Sequence, residues 1–88
     1  MNALAGIAED ILQNSGIDFS TLLPLMKQTV NKLNNLKPAL AQTGPAVRGD
    51  QKVMKSHMDM LEYSPEYKQV YALLSSIITS HQNAKNEI

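Results

Sequence analysis

The sequence contains no cysteine, so neither a disulfide framework nor a thiolate metal site can stabilise its 88 residues. The two histidines, His57 and His81, lie far apart, and neither has a second ligand at a spacing typical of zinc sites. We therefore predict no metal site. A chain this short, without such reinforcement, must rely on apolar packing for its stability.

Net charge is also absent, because eight Lys and Arg residues balance eight Asp and Glu residues. A neutral chain has no general attraction for nucleic acid or for an anionic membrane. No apolar run approaches the roughly 18 residues that a membrane-spanning helix needs. The N-terminal segment carries Glu9 and Asp10 where a signal peptide would be apolar. We therefore expect a cytoplasmic protein that binds neither nucleic acid nor a membrane.

No stretch of useful length alternates apolar and polar residues with the period of two that a half-buried strand requires. Apolar residues instead recur at helical spacing within residues 4–12, 22–36, 53–61 and 67–78. Residues 38–42 are expected to form one further short helical turn that begins with a proline. We predict a single all-α domain over residues 1–88, an irregular bundle of about five helices joined by short links.

Local signals predict where these helices begin and end. Asn2 and Asp18 are predicted N-caps, and Gly16 is predicted to end the first helix in the left-handed conformation. Ser64 followed by Pro65 predicts the start of the last helix.

Two residues are expected to disturb the helices that contain them. Pro24 lies near the start of the second helix, where we expect the first turn to bend. Gly6 lies inside the first helix and costs about 1 kcal/mol of helix propensity relative to alanine. We expect the close approach of another backbone to explain Gly6.

The segment 43–50, with the sequence Thr-Gly-Pro-Ala-Val-Arg-Gly-Asp, is the most irregular part of the chain. Two glycines and a proline predict a structured loop here rather than a regular helix. Gly49 is assigned the role of a flexible backbone position, and Asp50 is a predicted N-cap. Arg48 lies within the positive stretch 27–55, where Asp50 is the only acidic residue. Its guanidinium either forms a salt bridge or contacts an anionic ligand, and both interpretations remain open.

No set of residues in the sequence forms a recognisable catalytic constellation. Glu9 and Asp10 are adjacent on a helix and so point in different directions. His57 is interpreted as a helix-face residue with one satisfied nitrogen rather than as a general base. No phosphate-binding loop or dinucleotide fingerprint is present. We therefore expect no catalytic residue, no cofactor site and no enzymatic activity in this chain alone.

Five motifs follow one another in a fixed order along the chain. They are Asn2, Leu4, Ala8 and Glu9; Gly16-Ile17-Asp18; Leu22-Leu23-Pro24-Leu25; Thr43-Gly44-Pro45 with Arg48-Gly49-Asp50; and His57. In this order and spacing, they resemble the C-terminal helical domain of Rossmann-like proteins related to 6-phosphogluconate dehydrogenase and pyrroline-5-carboxylate reductase. That region is known as a domain of unknown function. The Thr-Gly-Pro-x-x-Arg-Gly-Asp string is the most specific of the five motifs.

The resemblance implies an all-α fold like the C-terminal domain of 6-phosphogluconate dehydrogenase. It also implies a parent protein whose N-terminal Rossmann domain, absent from this chain, binds NAD or NADP. In related dehydrogenases the helical domain completes the substrate pocket and builds the dimer interface, so we expect a homodimer and an anionic small-molecule substrate. The residues that we assign to substrate binding are Thr43, Gly44, Arg48 and His57. The residues that we assign to the structure of the loop and the helix cap are Pro45, Gly49 and Asp50.

Three functions are therefore considered. The leading hypothesis is the substrate-pocket and dimerisation domain of an NAD(P)-dependent oxidoreductase-like protein. The alternative is a free-standing interaction module that binds a partner's helix through its apolar stripes. A DNA-binding helix over residues 50–61 would present Gln51, Lys52 and Lys55, but neutral net charge opposes affinity for DNA. Because so short a chain buries its apolar stripes poorly, we expect the isolated chain to associate.

Overall fold

The computed structural model describes residues 1–86 of the chain, with side chains described for residues 1–84. Within this part there is no strand, and the predicted all-α class is confirmed. The helices are α1 (Asn2–Asn14), α2 (Leu23–Lys32), α3 (Pro38–Ala41), α4 (Pro45–Arg48), α5 (Gln51–Met60) and α6 (Pro65–Asn86), with a 3-10 turn at Phe19–Thr21. Backbone contacts divide the chain into an N-terminal unit, Met1–Lys37, and a C-terminal unit, Pro38–Ile88.

Helix α1 ends as the glycine signal predicts. Gly16 has φ +74°, and its N–H donates to the carbonyl of Gln13 over 3.0 Å. The N–H of Ile17 donates to the carbonyl of Leu12 over 2.9 Å. These two bonds form a Schellman motif, which satisfies carbonyls at the helix end that would otherwise lack donors. At the other end the prediction is wrong, because Met1 occupies the cap position and Asn2 is the first helical residue.

The segment between α1 and α2 contains the second predicted cap. The Oδ1 atom of Asp18 accepts a hydrogen bond of 2.8 Å from the N–H of Ser20, at the start of the 3-10 turn. This backbone bond, with a smaller contribution from the Ser20 side chain, holds the pKa of the Asp18 carboxyl below its usual value. Pro24 follows in the first turn of α2, where its missing N–H breaks no helical hydrogen bond. The irregularity expected at Pro24 therefore lies just before it, as a separate 3-10 turn.

Helix α2 is shorter than its apolar spacing suggested. It ends at Lys32, and the chain continues to Leu36 through tighter turns in which Asn34 N–H donates to Asn31 C=O over 3.1 Å. Asn34 and Asn35 account for this ending, since asparagine side chains compete with the backbone for hydrogen bonds and favour turns.

The N-terminal unit leaves its apolar residues accessible to solvent. None of residues 1–37 is buried. Apart from the adjoining backbone of α1 itself, no described atom lies within 4 Å of a Cβ built on Gly6, so the close packing that we expected there is not found among the described residues. Domains shorter than roughly 40 residues usually need disulfides, metals or association to be stable. The unit therefore exposes apolar surface that a further contact would stabilise.

The C-terminal unit packs α4 against both α5 and α6, and α5 against α6. Ala46 in α4 and Leu61 after α5 are the two buried apolar residues among those described, each 7% exposed. Ser64 caps α6 as predicted, because its Oγ accepts the N–H of Tyr67 over 3.3 Å. Between α5 and α6, an ion pair joins Lys68 to Glu62. The two helices thus form a hairpin around this turn.

The predicted loop at residues 43–50 is corrected by the structure, which has a full helical turn, α4, between Gly44 and Gly49. Pro45 is its first residue, where a proline fits without loss. Gly44 and Gly49 have φ of +110° and +67°, so the glycines bound the turn instead of breaking it. Asp50 then caps α5 as predicted, since its Oδ1 accepts the N–H of Val53 over 3.2 Å.

In the part of the chain that the structure describes, no helix combines the length and the apolar character needed to cross a membrane.

Three substitutions test the roles assigned to two glycines and to the Asp50 cap. Gly49→Ala should destabilise the fold by about 1–2 kcal/mol, because alanine resists the left-handed conformation even where space is open. Gly6→Ala should instead stabilise it by about 0.5–1 kcal/mol, because Gly6 lies in open space inside a helix. Asp50→Ala should cost about 1 kcal/mol through loss of the cap. Urea unfolding followed by circular dichroism measures all three, and the same sign for both glycine variants would contradict the assignment.

Candidate functional site

All four predicted substrate-binding residues lie in the C-terminal unit. Thr43 and Gly44 precede α4, Arg48 is the last residue of α4, and His57 lies in α5. The first three are therefore close in sequence around one turn. His57 is further along, at about 9 Å of helix rise from the first residue of α5. The structure thus places the predicted residues in two groups on adjacent elements.

The turn that carries Arg48 is anchored by its own packing. Ala46 is buried in the middle of α4, which contacts both α5 and α6. Gly49 then reverses the backbone with φ +67°, and the N–H of Asp50 donates to the carbonyl of Pro45 over 2.9 Å. Arg48 therefore extends from a fixed backbone, although its side chain is exposed.

Arg48 forms no ion pair and no side-chain hydrogen bond with any side chain that the structure describes. Of the two interpretations left open by the sequence, an internal salt bridge is therefore not found among these residues. The guanidinium keeps its planar set of five donors for other groups. Carboxylates and phosphates match that geometry best.

His57 lies in the apolar face of α5 and contacts α6. Its Nδ1 atom is 2.7 Å from the hydroxyl of Tyr71, and the two rings meet edge to face with centroids 5.6 Å apart. Both residues are half-buried. This is the satisfied nitrogen that the sequence interpretation expected. No described atom is hydrogen-bonded to Nε2, so this nitrogen can bind a further group.

Burial raises the pKa of the Tyr71 hydroxyl above its ordinary value. At neutral pH the hydroxyl therefore keeps its proton and can donate it to Nδ1 of His57. In that arrangement Nε2 carries the imidazole proton and is a donor. His57, held on α5 by this bond, can then offer its Nε2–H group to a further partner.

Sequence analysis did not connect Tyr71 with His57, although a signal was present. The two residues are equally distant from Ser64, the predicted start signal of α6. In an antiparallel helical hairpin, residues equidistant from the turn lie opposite one another. The hairpin geometry, once recognised, would have predicted this contact.

Two adjoining grooves run between α5 and α6. Their volumes are about 220 and 340 Å³, and Gln51, Met54, Ala72 and Ser75 line both. The smaller groove also includes Tyr71 and Lys55, while hydroxyl and amide groups of α6 line the larger. None of the four predicted substrate-binding residues lines either groove. Among residues 1–86, no group of three or more His, Cys, Asp or Glu side chains is arranged to hold a metal ion.

Comparison with known proteins identifies relatives of this chain. Residues 1–78 match a family model described as Domain of unknown function (DUF2520). A crystal structure of a protein described as a putative NADP oxidoreductase from Bacteroides fragilis is similar to the chain, with a TM-score of 0.87 and 37% identity over 90% of the chain. The chain spans only 30% of the length of that protein. No curated protein matches the chain. These matches confirm the resemblance deduced from the motifs.

A double-mutant cycle measures the contact between His57 and Tyr71. Tyr71→Phe and His57→Ala should each destabilise the fold, and the double variant should lose about 0.5–1.5 kcal/mol less than their sum, the contribution of one hydrogen bond. Tyr63→Phe is the matched control, because Tyr63 is half-exposed and its hydroxyl has no described partner. It should change the free energy of unfolding by less than about 0.5 kcal/mol. Strictly additive effects in urea unfolding would show that the contact contributes nothing.

Proposed function

Because the chain belongs to the DUF2520 family, we propose that it is the substrate-pocket and dimerisation domain of an NAD(P)-dependent oxidoreductase and is not catalytic alone. The observation that carries this proposal is the close likeness of 90% of this chain to one part of a protein described as a putative NADP oxidoreductase. A shared fold does not by itself determine function, so the residues of the site must also support the proposal.

The nucleotide is proposed to bind outside this chain. A phosphate-binding glycine loop on a strand–helix turn is the usual cradle for NAD or NADP. The described residues contain no strand, and the sequence contains no such loop. We therefore assign the cofactor, NAD or NADP, to an N-terminal Rossmann domain of the parent protein. The absence of cysteine is compatible with a reducing compartment, and we propose a cytoplasmic location.

The substrate contact is proposed at the turn formed by α4. Arg48 is exposed, lacks an ion pair among the described side chains and lies in the positive stretch 27–55. A guanidinium in this state favours an anionic small molecule, through paired bonds to a carboxylate or phosphate. Thr43 adds a hydroxyl beside Gly44, and Nε2 of His57 is assigned a second contact from α5.

Dimerisation is supported by the exposure of apolar side chains. No residue of the N-terminal unit is buried, and exposed leucines, isoleucine and methionine continue into the C-terminal unit. Apolar surface on this scale favours association, because covering it removes it from water. The same exposure also favours the alternative of a free-standing module that binds a partner's helix. The two are distinguished by whether the purified chain associates with itself.

The proposed anion contact can be measured on the chain itself. Titration with inorganic phosphate should shift the amide NMR signals of residues 43–48, and Arg48→Ala should weaken that binding roughly tenfold, because a charge-assisted hydrogen bond contributes about 1.5–3 kcal/mol. Lys52→Ala removes an equal charge from an exposed residue in the first turn of α5 and is the matched control. Equal weakening by both variants would indicate unspecific charge attraction and would remove Arg48 from the proposed site.

A second measurement concerns the cofactor. Isothermal titration of the chain with NAD and with NADP should show no binding, because nothing in the sequence replaces the glycine loop that cradles a dinucleotide. Phosphate serves as the comparison ligand under the same conditions. Binding of either dinucleotide in the low-micromolar range would place the cofactor in this domain and overturn its assignment to a separate Rossmann domain.

A further inference from the structure

The two adjoining grooves between α5 and α6 share one wall, because Gln51, Met54, Ala72 and Ser75 line both. Their volumes are about 220 and 340 Å³. Pockets that hold small molecules in proteins have volumes of about 300–1,000 Å³. The two grooves together, which we call the α5–α6 groove, therefore have the size of a site for a small molecule.

The charge of the α5–α6 groove has one sign. Among the described residues, Lys55 is the one charged side chain that lines it. Lys55 forms no ion pair with a described side chain, and the acidic residues nearest in sequence, Asp59 and Glu62, do not line the groove. A cleft whose lining carries charge of a single sign attracts ions of the opposite sign. The occupant that complements this groove is therefore an anion.

The part of the groove that contains Lys55 is otherwise mainly apolar. Met54 and Met58, both half-buried on α5, line it together with Ala72 and the ring of Tyr71 on α6. Methionine side chains are unbranched and flexible, so they adapt to the shape of an apolar group. A fully hydrated ion such as phosphate gains little from contact with them, whereas an apolar group is removed from water. The anion should therefore carry an apolar body.

Two uncharged polar groups of the shared wall are available for a ligand. Ser75 is half-buried, and its hydroxyl makes no hydrogen bond with a described residue, although its backbone carbonyl accepts the Oγ1–H of Thr79 over 2.9 Å. The side-chain amide of Gln51 also has no described partner. Both groups can donate a hydrogen bond, and a carboxylate accepts such bonds without donating any. A carboxylate therefore matches the donors of the wall as well as the charge of Lys55.

We infer that the α5–α6 groove binds a small carboxylate with an apolar body. Its carboxylate lies toward Lys55 and the hydroxyl of Ser75, and its apolar part lies against Met54 and Met58. None of the four residues assigned to the anion contact at the turn of α4 lines this groove. The inference therefore adds a second site to the proposed function and does not depend on it.

Sodium hexanoate is a suitable probe, because it joins a carboxylate to a short apolar chain. The five methionines of the chain give five methyl signals in NMR spectra of protein labelled with ¹³C at the methionine methyl groups. Hexanoate should shift the signals of Met54 and Met58 with saturation. Met1, Met26 and Met60 do not line the groove and are internal controls. Comparable shifts of all five signals would indicate unspecific contact with exposed apolar surface and would overturn the site.

The charge contact is tested by Lys55→Gln, which should raise the dissociation constant for hexanoate about fivefold, the effect of one ion pair exposed to solvent. Lys52→Gln removes the same charge from an exposed residue of α5 that does not line the groove, and it should leave binding unchanged. Equal weakening by the two variants would contradict the role of Lys55.

The groove itself is tested by filling it. Ala72→Leu should abolish the saturable shifts, because Ala72 lines both parts of the groove. Ala84→Leu adds the same bulk to an exposed position of α6 outside the groove and is the matched control. Amide NMR spectra verify that each variant is folded. Binding that survives Ala72→Leu in a folded chain would overturn the site.

Two further ligands separate the sources of binding. Neither hexylammonium, which has the opposite charge, nor inorganic phosphate, which has no apolar body, should shift the signals of Met54 and Met58. Saturable shifts with hexylammonium would overturn the assignment of an anionic ligand. Arg48→Ala should leave hexanoate binding intact while it weakens phosphate binding at the turn of α4, so either site can fail without the other. Loss of hexanoate binding in Arg48→Ala would contradict a second site.

Discussion

The burial of Ala46 in α4 is the contact on which the arrangement of the C-terminal unit depends. This small side chain allows the turn to lie against both α5 and α6, which are joined to each other by their own hairpin. Gly44 and Gly49 make such a short helix possible, because each takes a positive φ that other residues resist. The position of α4 then determines the position of Arg48, its last residue. Because the buried core is small, the guanidinium of Arg48 remains exposed to solvent, where a ligand can reach it.

Limited burial also leaves much of the apolar surface of this chain open to water. Each side of α5 and α6 that is not used within the hairpin remains open to water, and the N-terminal unit buries no residue at all. Apolar surface of this kind is stabilised when another molecule or domain covers it. The exposed helices also differ in charge, because residues 69–84 of α6 contain no Asp, Glu, Lys or Arg, whereas α2 carries Lys27 and Lys32.

The hydrogen bond between His57 and Tyr71 holds in place a histidine that we propose as a ligand contact. It fixes one ring nitrogen and leaves the other without a described partner. Only the hairpin brings these two residues together, since they are on different helices. A histidine held in this way is oriented by the fold, which is a requirement for any precise contact with a bound molecule.

The sequence by itself determined the all-α class, the family resemblance and most helix ends. Gly16, Asp18, Asp50 and Ser64 mark those ends through bonds that span no more than five positions, so neighbouring sequence is sufficient to predict them. Where a local signal was weak, as at Asn2, the prediction failed. Only the tertiary structure decided that residues 45–48 form a helical turn, that His57 meets Tyr71, and that Leu73 and Ile77 remain exposed. Each of these depends on which distant residues exclude water from a side chain, and periodicity along one helix does not contain that information.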